Sequence, residues 1–143
     1  MDVIIRKAQI RDIPQIKEMN NILNEVCSTV DYMKNSLENN KNEIVLVAIH
    51  NENAIGFICG QLYPSICYSG GVQCEVTELF VNENYRKNGV ATKLIKQLER
   101  EFEENKVQEI LLQTGRKNII AQNFYEKNGY TNSERIVYRK KYY

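Results

Sequence analysis

The residues best suited to chemistry lie in a short loop, residues 86–92, with the sequence Arg-Lys-Asn-Gly-Val-Ala-Thr. The loop follows a strand-like segment, residues 79–81, and opens an amphipathic helix. A helix start leaves several main-chain N–H groups unpaired at the positive end of the helix dipole, so the junction predicts a site for a phosphate-bearing ligand. Gly89 would let the main chain approach that ligand, because glycine has no Cβ. Taken alone, the pattern also fits an ordinary strand–turn–helix junction with a solvated Arg86.

A second segment, residues 118–130, has the signals of a helix with two aromatic residues near its end. Asn118 is a residue type that caps helix N-termini, and Gly129 can end a helix in the left-handed conformation at little cost. Phe124 and Tyr125 lie within this segment. Tyr125 therefore either packs beside Phe124 on the core or offers its phenol to a reaction.

The cysteines and the single histidine do not form a metal-binding pattern. Cys27, Cys59, Cys67 and Cys74 contain no Cys-x-x-Cys pair, and His50 stands at the end of an apolar run. Because zinc sites need clustered cysteine and histidine, we predict no metal and treat His50 as a bystander. A Cys67–Cys74 disulfide is conceivable, but reduced, partly buried thiols are the favoured interpretation for an intracellular protein.

Length and composition predict one ordinary domain. The 143 residues can bury a core without disulfide or metal support, so we expect a single domain over residues 1–143. The net charge of +1, with lysine and arginine scattered along the chain, argues against nucleic-acid binding. No basic leader precedes the first strand-like segment, and no window approaches the roughly 18 apolar residues of a membrane span. We therefore expect a soluble, cytoplasmic protein without a membrane partner.

The surrounding pattern alternates between strands and helices. A strand is predicted over residues 3–8, helices over 12–23 and 30–37, and a hairpin over 44–49 and 54–63. A strand over 74–81, a helix lined by Ala91, Leu94, Ile95, Leu98 and Phe102, and a short strand over 110–112 follow. The helix at 118–129 and a final strand at 133–143 complete an α/β or α+β domain around a mixed sheet.

Two motifs in this order resemble those of the GNAT superfamily of N-acetyltransferases. The segment Arg86-Lys87-Asn88-Gly89-Val90-Ala91 resembles the family's Arg/Gln-x-x-Gly-x-Gly/Ala acyl-CoA loop. Residues 118–130 resemble its second signature, a helix ending in Phe-Tyr-x-x-x-Gly-Phe/Tyr. Glu83 stands where members often have proline, a departure that affects the stiffness of the turn. The resemblance implies a mostly antiparallel mixed sheet flanked by helices and splayed between the fourth and fifth strands.

The resemblance also implies acetyl-CoA as the co-substrate. The amides of the loop would bind the pyrophosphate, the main chain of the preceding strand would bind the pantetheine arm, and an amide near Leu79 would stabilise the oxyanion. Asn118 would contact the pantetheine or the phosphates, in addition to capping its helix. The cofactor-binding residues implied are Leu79, Phe80, Val81, Arg86, Lys87, Asn88, Gly89, Val90, Ala91, Thr92, Asn118 and Tyr125.

Acetyl transfer to an amine requires a neutral amine, a stabilised tetrahedral intermediate and a protonated leaving thiol. The resemblance assigns the general acid to Tyr125, whose phenol would protonate the thiolate. Glu75 and Glu78 are the candidate bases, since an alkyl amine with a pKa of about 10.4 is charged at neutral pH. Strand alternation points them to opposite faces unless a bulge intervenes, and each could instead be a solvent-facing carboxylate. Glu75, acting through a water, is slightly favoured.

The predicted function is N-acetylation of a primary amine by direct attack in a ternary complex. The acceptor could be an aminoglycoside, which we would test first, a polyamine, or a peptide or protein amine. The substrate side would draw on residues 21–37, 63–72 and 135–143, whose acidic and aromatic residues suit a cation. A non-catalytic acyl-CoA-binding regulatory domain is the alternative, and a nucleotide-binding module is disfavoured because the Gly-x-x-x-x-Gly-Lys-Ser/Thr spacing is missing. Members often pair through C-terminal strands, so a homodimer is left open.

Overall fold

The strands of the sheet lie in the same order as they occur along the chain. The structure is a computed structural model that describes residues 1–25, 28–68 and 72–143, with only the main chain at Val72. It divides into two units, Met1–Gln113 and Thr114–Tyr143, which are described separately. The first unit contains the five-stranded sheet, in the order β1-β2-β3-β4-β5. Its strands are β1 (Ile4–Lys7), β2 (Glu43–His50), β3 (Asn53–Tyr63), β4 (Val72–Val81) and β5 (Val107–Leu112).

The pairing of the strands follows from their connections. Strands β1 to β4 pair antiparallel, and β2 and β3 form the predicted hairpin through Asn51 and Glu52, which both have positive φ. Strands β4 and β5 are parallel because a helix crosses between them. Their pairing ends at Val76 opposite Leu112, while β4 continues to Val81. The mixed, mostly antiparallel sheet and its splay after the fourth strand are therefore confirmed.

Helices cover both faces of the sheet. The helices of the first unit are α1 (Ile13–Leu23), α2 (Val30–Asn39) and α3 (Val90–Glu104). On one face, Ile13, Ile16 and Met19 of α1 join a core cluster with Phe57 and Phe80 of the sheet. On the other, α3 packs so closely on β3 that a Cβ at Gly60 would lie 2.4 Å from Cζ of Phe102.

The start of α1 is held by a buried carboxylate. Asp12, only 5% exposed, accepts hydrogen bonds from Arg6 at 2.7 and 3.0 Å and from the amide of Gln9 at 2.7 Å. Burial alone would raise the pKa of Asp12, but the hydrogen bonds from Arg6 and Gln9 outweigh it and hold that pKa below its ordinary value. This ion pair fixes the first turn of α1, which carries Ile13 and Ile16 into the core.

The second unit contains one helix, α4 (Ile119–Lys127), followed by a segment without regular structure. The prediction of a final strand over residues 133–143 is wrong, because residues 130–143 form neither helix nor strand. The segment alternates apolar and polar residues, but a strand also needs a neighbouring strand to receive its main-chain hydrogen bonds. Its apolar members Ile136, Val137 and Tyr138 are instead exposed.

The other predicted helices and strands are confirmed with shifts of their end residues. Cys27, and residues 69–71 of the predicted substrate-side range 63–72, lie outside the described residues. Cys59, Cys67 and Cys74 are present as thiols rather than in disulfides. Among the helices formed by described residues, none combines the length and apolar character needed to cross a membrane.

Candidate functional site

The loop at residues 86–92, called the amide loop below, is shaped by two left-handed residues. After β4 ends at Val81, one turn of 3-10 helix (Glu83–Tyr85) leads into the loop. Lys87 has φ +63° and Gly89 has φ +77°, and Gly89 is the N-cap of α3. The side-chain amide of Asn88 donates to the carbonyls of Tyr85 and Arg86 at 3.2 and 3.0 Å. The loop is therefore held by its own side chain.

The main-chain amides of the amide loop are left unpaired. No acceptor among the described residues receives a hydrogen bond from the amides of residues 87–92. The loop is solvent-exposed from Arg86 to Gly89, whereas Val90 and Leu94 of α3 are buried and anchor the helix behind it. Exposed, unpaired amides at the N-terminus of a fixed helix suit the oxygens of a phosphate.

Arg86 is exposed but not simply solvated. Its Nε donates to the carbonyl of Val81 at 2.8 Å, and its guanidinium carbon lies 5.5 Å from the centre of the Phe80 ring. Both contacts tie Arg86 back to the end of β4. The terminal nitrogens of its guanidinium donate to no acceptor among the described residues, which leaves them oriented beside the loop for an anion.

The end of β4 has one edge without a strand partner. Residues 78–81 pair with β3, but among the described residues no strand pairs with β4 beyond Val76 on the β5 side. Leu79, Phe80 and Val81 lie in this part of the strand. An unpaired strand edge can accept an extended ligand as an additional strand. This edge leads directly towards the amide loop.

A β-bulge brings Glu75 and Glu78 to the same face of the sheet. Cys59 of β3 lies opposite Glu78, and the next residue, Gly60, lies opposite Val76, so Thr77 is an extra residue in β4. Without the bulge, residues three apart in a strand point to opposite faces. The bulge, which was the one expected exception to opposite orientations of Glu75 and Glu78, is therefore present in the structure.

Both carboxylate oxygens of Glu75 accept hydrogen bonds from neighbouring side chains. Tyr63 donates its hydroxyl to Oε1 of Glu75 at 2.7 Å, and Gln113 donates to Oε2 at 3.3 Å. The hydrogen bond to Glu75 raises the pKa of Tyr63 to about 12. Glu75 is thus held by Tyr63 and Gln113, and it is not among the residues that line the cavity described below, whereas Glu78 is. The position of Glu78 therefore favours it over Glu75 as a base, the reverse of the preference from sequence.

Glu78 lines a cavity between the sheet and the first two helices. The cavity, called the carboxylate cavity below, has a volume of about 270 Å³. The sheet side includes Glu43, Cys59 and Glu78, whose possible ligand atoms all lie within 4.8 Å of one another. The remaining lining residues are Val45 and Phe57 of the sheet, Ile13, Ile16 and Asn20 of α1, Ser28, and Tyr32, Met33, Ser36 and Leu37 of α2.

Glu43 is the principal residue that the sequence analysis missed. It begins β2, half-buried, and accepts a hydrogen bond from Gln61 at 2.7 Å. Burial, and then the negative charge of Glu78, raise its pKa. In the sequence it follows the polar stretch Asn39 to Asn42 and looks like the end of a turn. Its pairing opposite Gln61 places it in the sheet, and the distance of its carboxylate from that of Glu78, within 4.8 Å, reveals that the two are neighbours.

Cys59 and Thr77 complete the surroundings of Glu78. Burial, together with the charges of Glu43 and Glu78 and a hydrogen bond to Glu78, raises the pKa of the Cys59 thiol well above its ordinary value. The thiol is therefore neutral at physiological pH and is not a nucleophile. Thr77 donates its hydroxyl to Glu78 as well. Two donors and a neighbouring carboxylate thus orient Glu78 in the cavity.

The second unit holds the remaining predicted residues. Asn118 caps α4 by accepting a hydrogen bond from the amide of Ala121 at 3.1 Å, as predicted. The ring of Tyr125 lies 5.2 Å from that of Phe124 and 5.9 Å from that of Tyr130, both edge-on. Burial raises the pKa of Tyr125, so its phenol is protonated at neutral pH.

Comparisons with known proteins identify the fold. The sequence model of the acetyltransferase (GNAT) family matches residues 13–130. A search of curated protein sequences found no match. Among solved structures, an aminoglycoside acetyltransferase, meta-AAC0020, from an uncultured soil metagenomic sample is 20% identical with a TM-score of 0.83, covering 97% of this chain and 95% of that one.

Two further structures have similar agreement. The protein AAC(6')-Iy, in complex with a bisubstrate analogue of CoA and acetylneamine, is 20% identical over 99% of both chains, with a TM-score of 0.84. A ribosomal-protein-alanine N-acetyltransferase from Brucella melitensis biovar Abortus is 19% identical over 99% of this chain and 100% of that one, with a TM-score of 0.82. At these identities the likeness establishes the fold, and the family model establishes membership. The chain belongs to the GNAT family of acetyltransferases.

Proposed function

We propose that this protein transfers the acetyl group of acetyl-CoA to a primary amine by direct attack in a ternary complex. The observation that carries the proposal is the bulge at Thr77, which turns Glu78 into the carboxylate cavity just before β4 reaches its unpaired edge. An amine bound beside Glu78 would then be next to the strand edge that suits the pantetheine arm. The family match over residues 13–130, which includes parts of both units, supports the proposal that residues 1–143 act as one domain.

The cofactor would be held by the amide loop and the strand edge. The unpaired amides of residues 87–92 and the terminal nitrogens of Arg86 would bind the pyrophosphate oxygens. The main chain of Leu79, Phe80 and Val81 would bind the pantetheine arm, and the amide near Leu79 would stabilise the oxyanion that forms on the thioester carbonyl. Asn118 would contribute a contact to the cofactor.

The reaction moves two protons away from the acceptor nitrogen. An alkylammonium must first lose one proton, which Glu78 accepts and passes to solvent. The neutral amine attacks the thioester carbon, and the C–S bond breaks to release the CoA thiolate. A proton, equal in number to the second one lost by the nitrogen, converts this thiolate to CoA thiol. Tyr125 would deliver that proton and recover one from the acylated nitrogen through solvent. Because burial keeps its phenol protonated, Tyr125 would be in the state required of an acid.

The acceptor would be a small-molecule primary amine. One of the similar structures is named as an aminoglycoside acetyltransferase, and another was solved with a bisubstrate analogue of CoA and acetylneamine. A polyamine or a peptide amine are the other classes to compare. Tyr32, which the sequence analysis placed on the substrate side, lines the carboxylate cavity, whereas Tyr63 is engaged with Glu75.

The direct test measures release of CoA thiol when acetyl-CoA is mixed with an aminoglycoside, a polyamine, a simple alkylamine and a peptide. Amine-dependent release, with mass spectrometry of the acetylated product, is the expected result. Acetyl-CoA binding by calorimetry without release for any amine would instead indicate the alternative, a non-catalytic acyl-CoA-binding regulatory domain. The absence of any CoA binding at millimolar concentration would overturn both.

A further inference from the structure

The described residues that line the carboxylate cavity include two acids and no basic side chain. Of the described residues that line it, Glu43 and Glu78 are the acids, and no lysine or arginine is among them. No ion pair formed by described residues includes either carboxylate. Two carboxylates so close together in a partly buried place repel each other, and the repulsion is relieved by a shared proton or by a cation.

Apart from the two carboxylates, the described lining of the cavity carries no charged side chain. Its larger part is apolar and includes Ile16 and Met33, while its uncharged polar part includes Asn20 and Ser36. A second positive charge in the cavity would be desolvated without a charged partner of its own, which is costly. The volume of about 270 Å³ lies near the low end for small-molecule pockets, so it admits the amine-bearing end of a larger molecule rather than the whole.

We propose, on the basis of the function proposed above, that Glu43 and Glu78 form a two-carboxylate seat for a single primary ammonium group, and that the cavity selects acceptors with apolar carbon next to that nitrogen. The preferred substrate class is therefore a primary alkylamine end. Glu43 is a specificity-determining residue that contacts the ammonium, while Glu78 both contacts it and takes its proton. A diamine short enough to place its second ammonium within the cavity is disfavoured.

The proposal also gives the amine affinity a particular pH dependence. The titratable groups facing Glu43 among the described residues are Glu78 of β4, Cys59 of β3 and Tyr32 of α2, with α1 presenting none in the cavity. Protonation of Glu43 removes one negative charge from the seat. The pKa of Glu43 is raised, so its protonation begins at a higher pH than that of an ordinary glutamate. As the pH is lowered, the affinity for an ammonium should therefore begin to fall at this higher pH.

A matched pair of probes tests the substrate class. n-Pentylamine and 1,4-diaminobutane have the same number of heavy atoms and differ in a terminal methyl or ammonium group. Calorimetry with wild-type protein should give at least about tenfold tighter binding of n-pentylamine, since the apolar side chains of the lining favour a methyl group and a second charge has no charged partner there. Equal or tighter binding of 1,4-diaminobutane would overturn the proposal.

Glu43→Gln tests the seat itself. Glutamine keeps the size of the side chain and can still accept from Gln61, so the fold should be retained. The Kd and KM for n-pentylamine should rise about tenfold, kcat should change less, and the decline of affinity in acid should become shallower. Glu104→Gln, at an exposed position near the end of α3, is the control and should behave as wild type.

Two outcomes contradict the inference without touching the proposed function. If wild-type protein acetylates amines but Glu43→Gln leaves both the n-pentylamine affinity and its pH profile unchanged, Glu43 is not part of the seat. If zinc chloride titrated in place of the amine binds stoichiometrically, loses binding in Glu43→Gln, and excludes n-pentylamine, the cluster is a metal site instead. Failure of every amine to be acetylated would count against the proposed function, whereas amine binding alone would still test the seat.

Discussion

The amide loop and the carboxylate cavity are built in opposite ways. The loop takes all its features from one continuous segment, residues 86–92, in which Lys87 and Gly89 adopt left-handed conformations and Asn88 closes the turn. The cavity draws on two helices and three strands and depends on one extra residue in β4. The proposed cofactor site is therefore local in sequence, whereas the proposed acceptor site is assembled by tertiary structure.

The largest effect should come from Glu78→Gln on the cavity side. Glutamine cannot accept the proton of the ammonium and removes one charge of the seat, so kcat/KM for an amine should fall about 10²–10³-fold. The affinity for acetyl-CoA should be unchanged, because the amide loop is independent of Glu78. Steady-state kinetics with calorimetry measure both quantities. A weakened CoA affinity of similar size would show that the two regions are not separable.

The sequence predicts the two regions unequally for this reason. The amide loop was predicted because strand, glycine and amphipathic helix are consecutive in the chain. Glu43 was missed because its partner Glu78 is far away in the sequence, and the two meet only through pairing on both sides of β3. The bulge was likewise unpredictable, since Thr77 fits a regular strand as well as a bulged one.

The wrongly predicted final strand has the same cause. Alternation at residues 133–143 is a local signal, but a strand depends on a partner edge that local sequence does not specify. The remaining strands were predicted from their apolar runs, some of which are bounded by turn residues such as Asn51 and Glu52. What could be predicted was therefore the local conformation, and what could not was the choice of partner.

The next effect in size should come from Tyr125→Phe, which removes the proposed acid and keeps the ring contacts with Phe124 and Tyr130. We expect kcat to fall about 100-fold while the affinities for acetyl-CoA and amine stay close to wild type. Tyr138→Phe, at an exposed tyrosine in the same unit, should have no effect. An unchanged kcat in Tyr125→Phe would mean that solvent protonates the thiolate.

Gly89→Ala should weaken the binding of the cofactor without affecting the binding of the amine. The space around Gly89 is open, so the penalty comes only from a side chain at φ +77°, about 1–2 kcal/mol. The loop should relax away from its conformation, and the Kd for acetyl-CoA should rise about tenfold with the amine affinity preserved. Gly129→Ala is the matched control, because Gly129 has φ +91° and open space as well but ends α4. If both variants lose acetyl-CoA affinity to the same extent, the amide loop is not specifically responsible for cofactor binding.

The smallest effect should come from Tyr63→Phe, which separates the two glutamates on the shared face. Loss of the hydroxyl frees one oxygen of Glu75, and if Glu78 is the base, kcat/KM for an amine should change less than about threefold. The same pair can be followed spectroscopically, because the hydrogen bond from Tyr63 to Glu75 raises the tyrosine pKa to about 12. Replacement of Glu75 by glutamine removes the charge that favours the protonated phenol, so this pKa should fall towards its ordinary value. The difference in phenolate absorbance between each protein and its Tyr63→Phe counterpart isolates this one residue during an alkaline titration. A large change of activity in Tyr63→Phe, in either direction, would return the role of base to Glu75, since it would mean that the catalytic carboxylate is the one that Tyr63 holds.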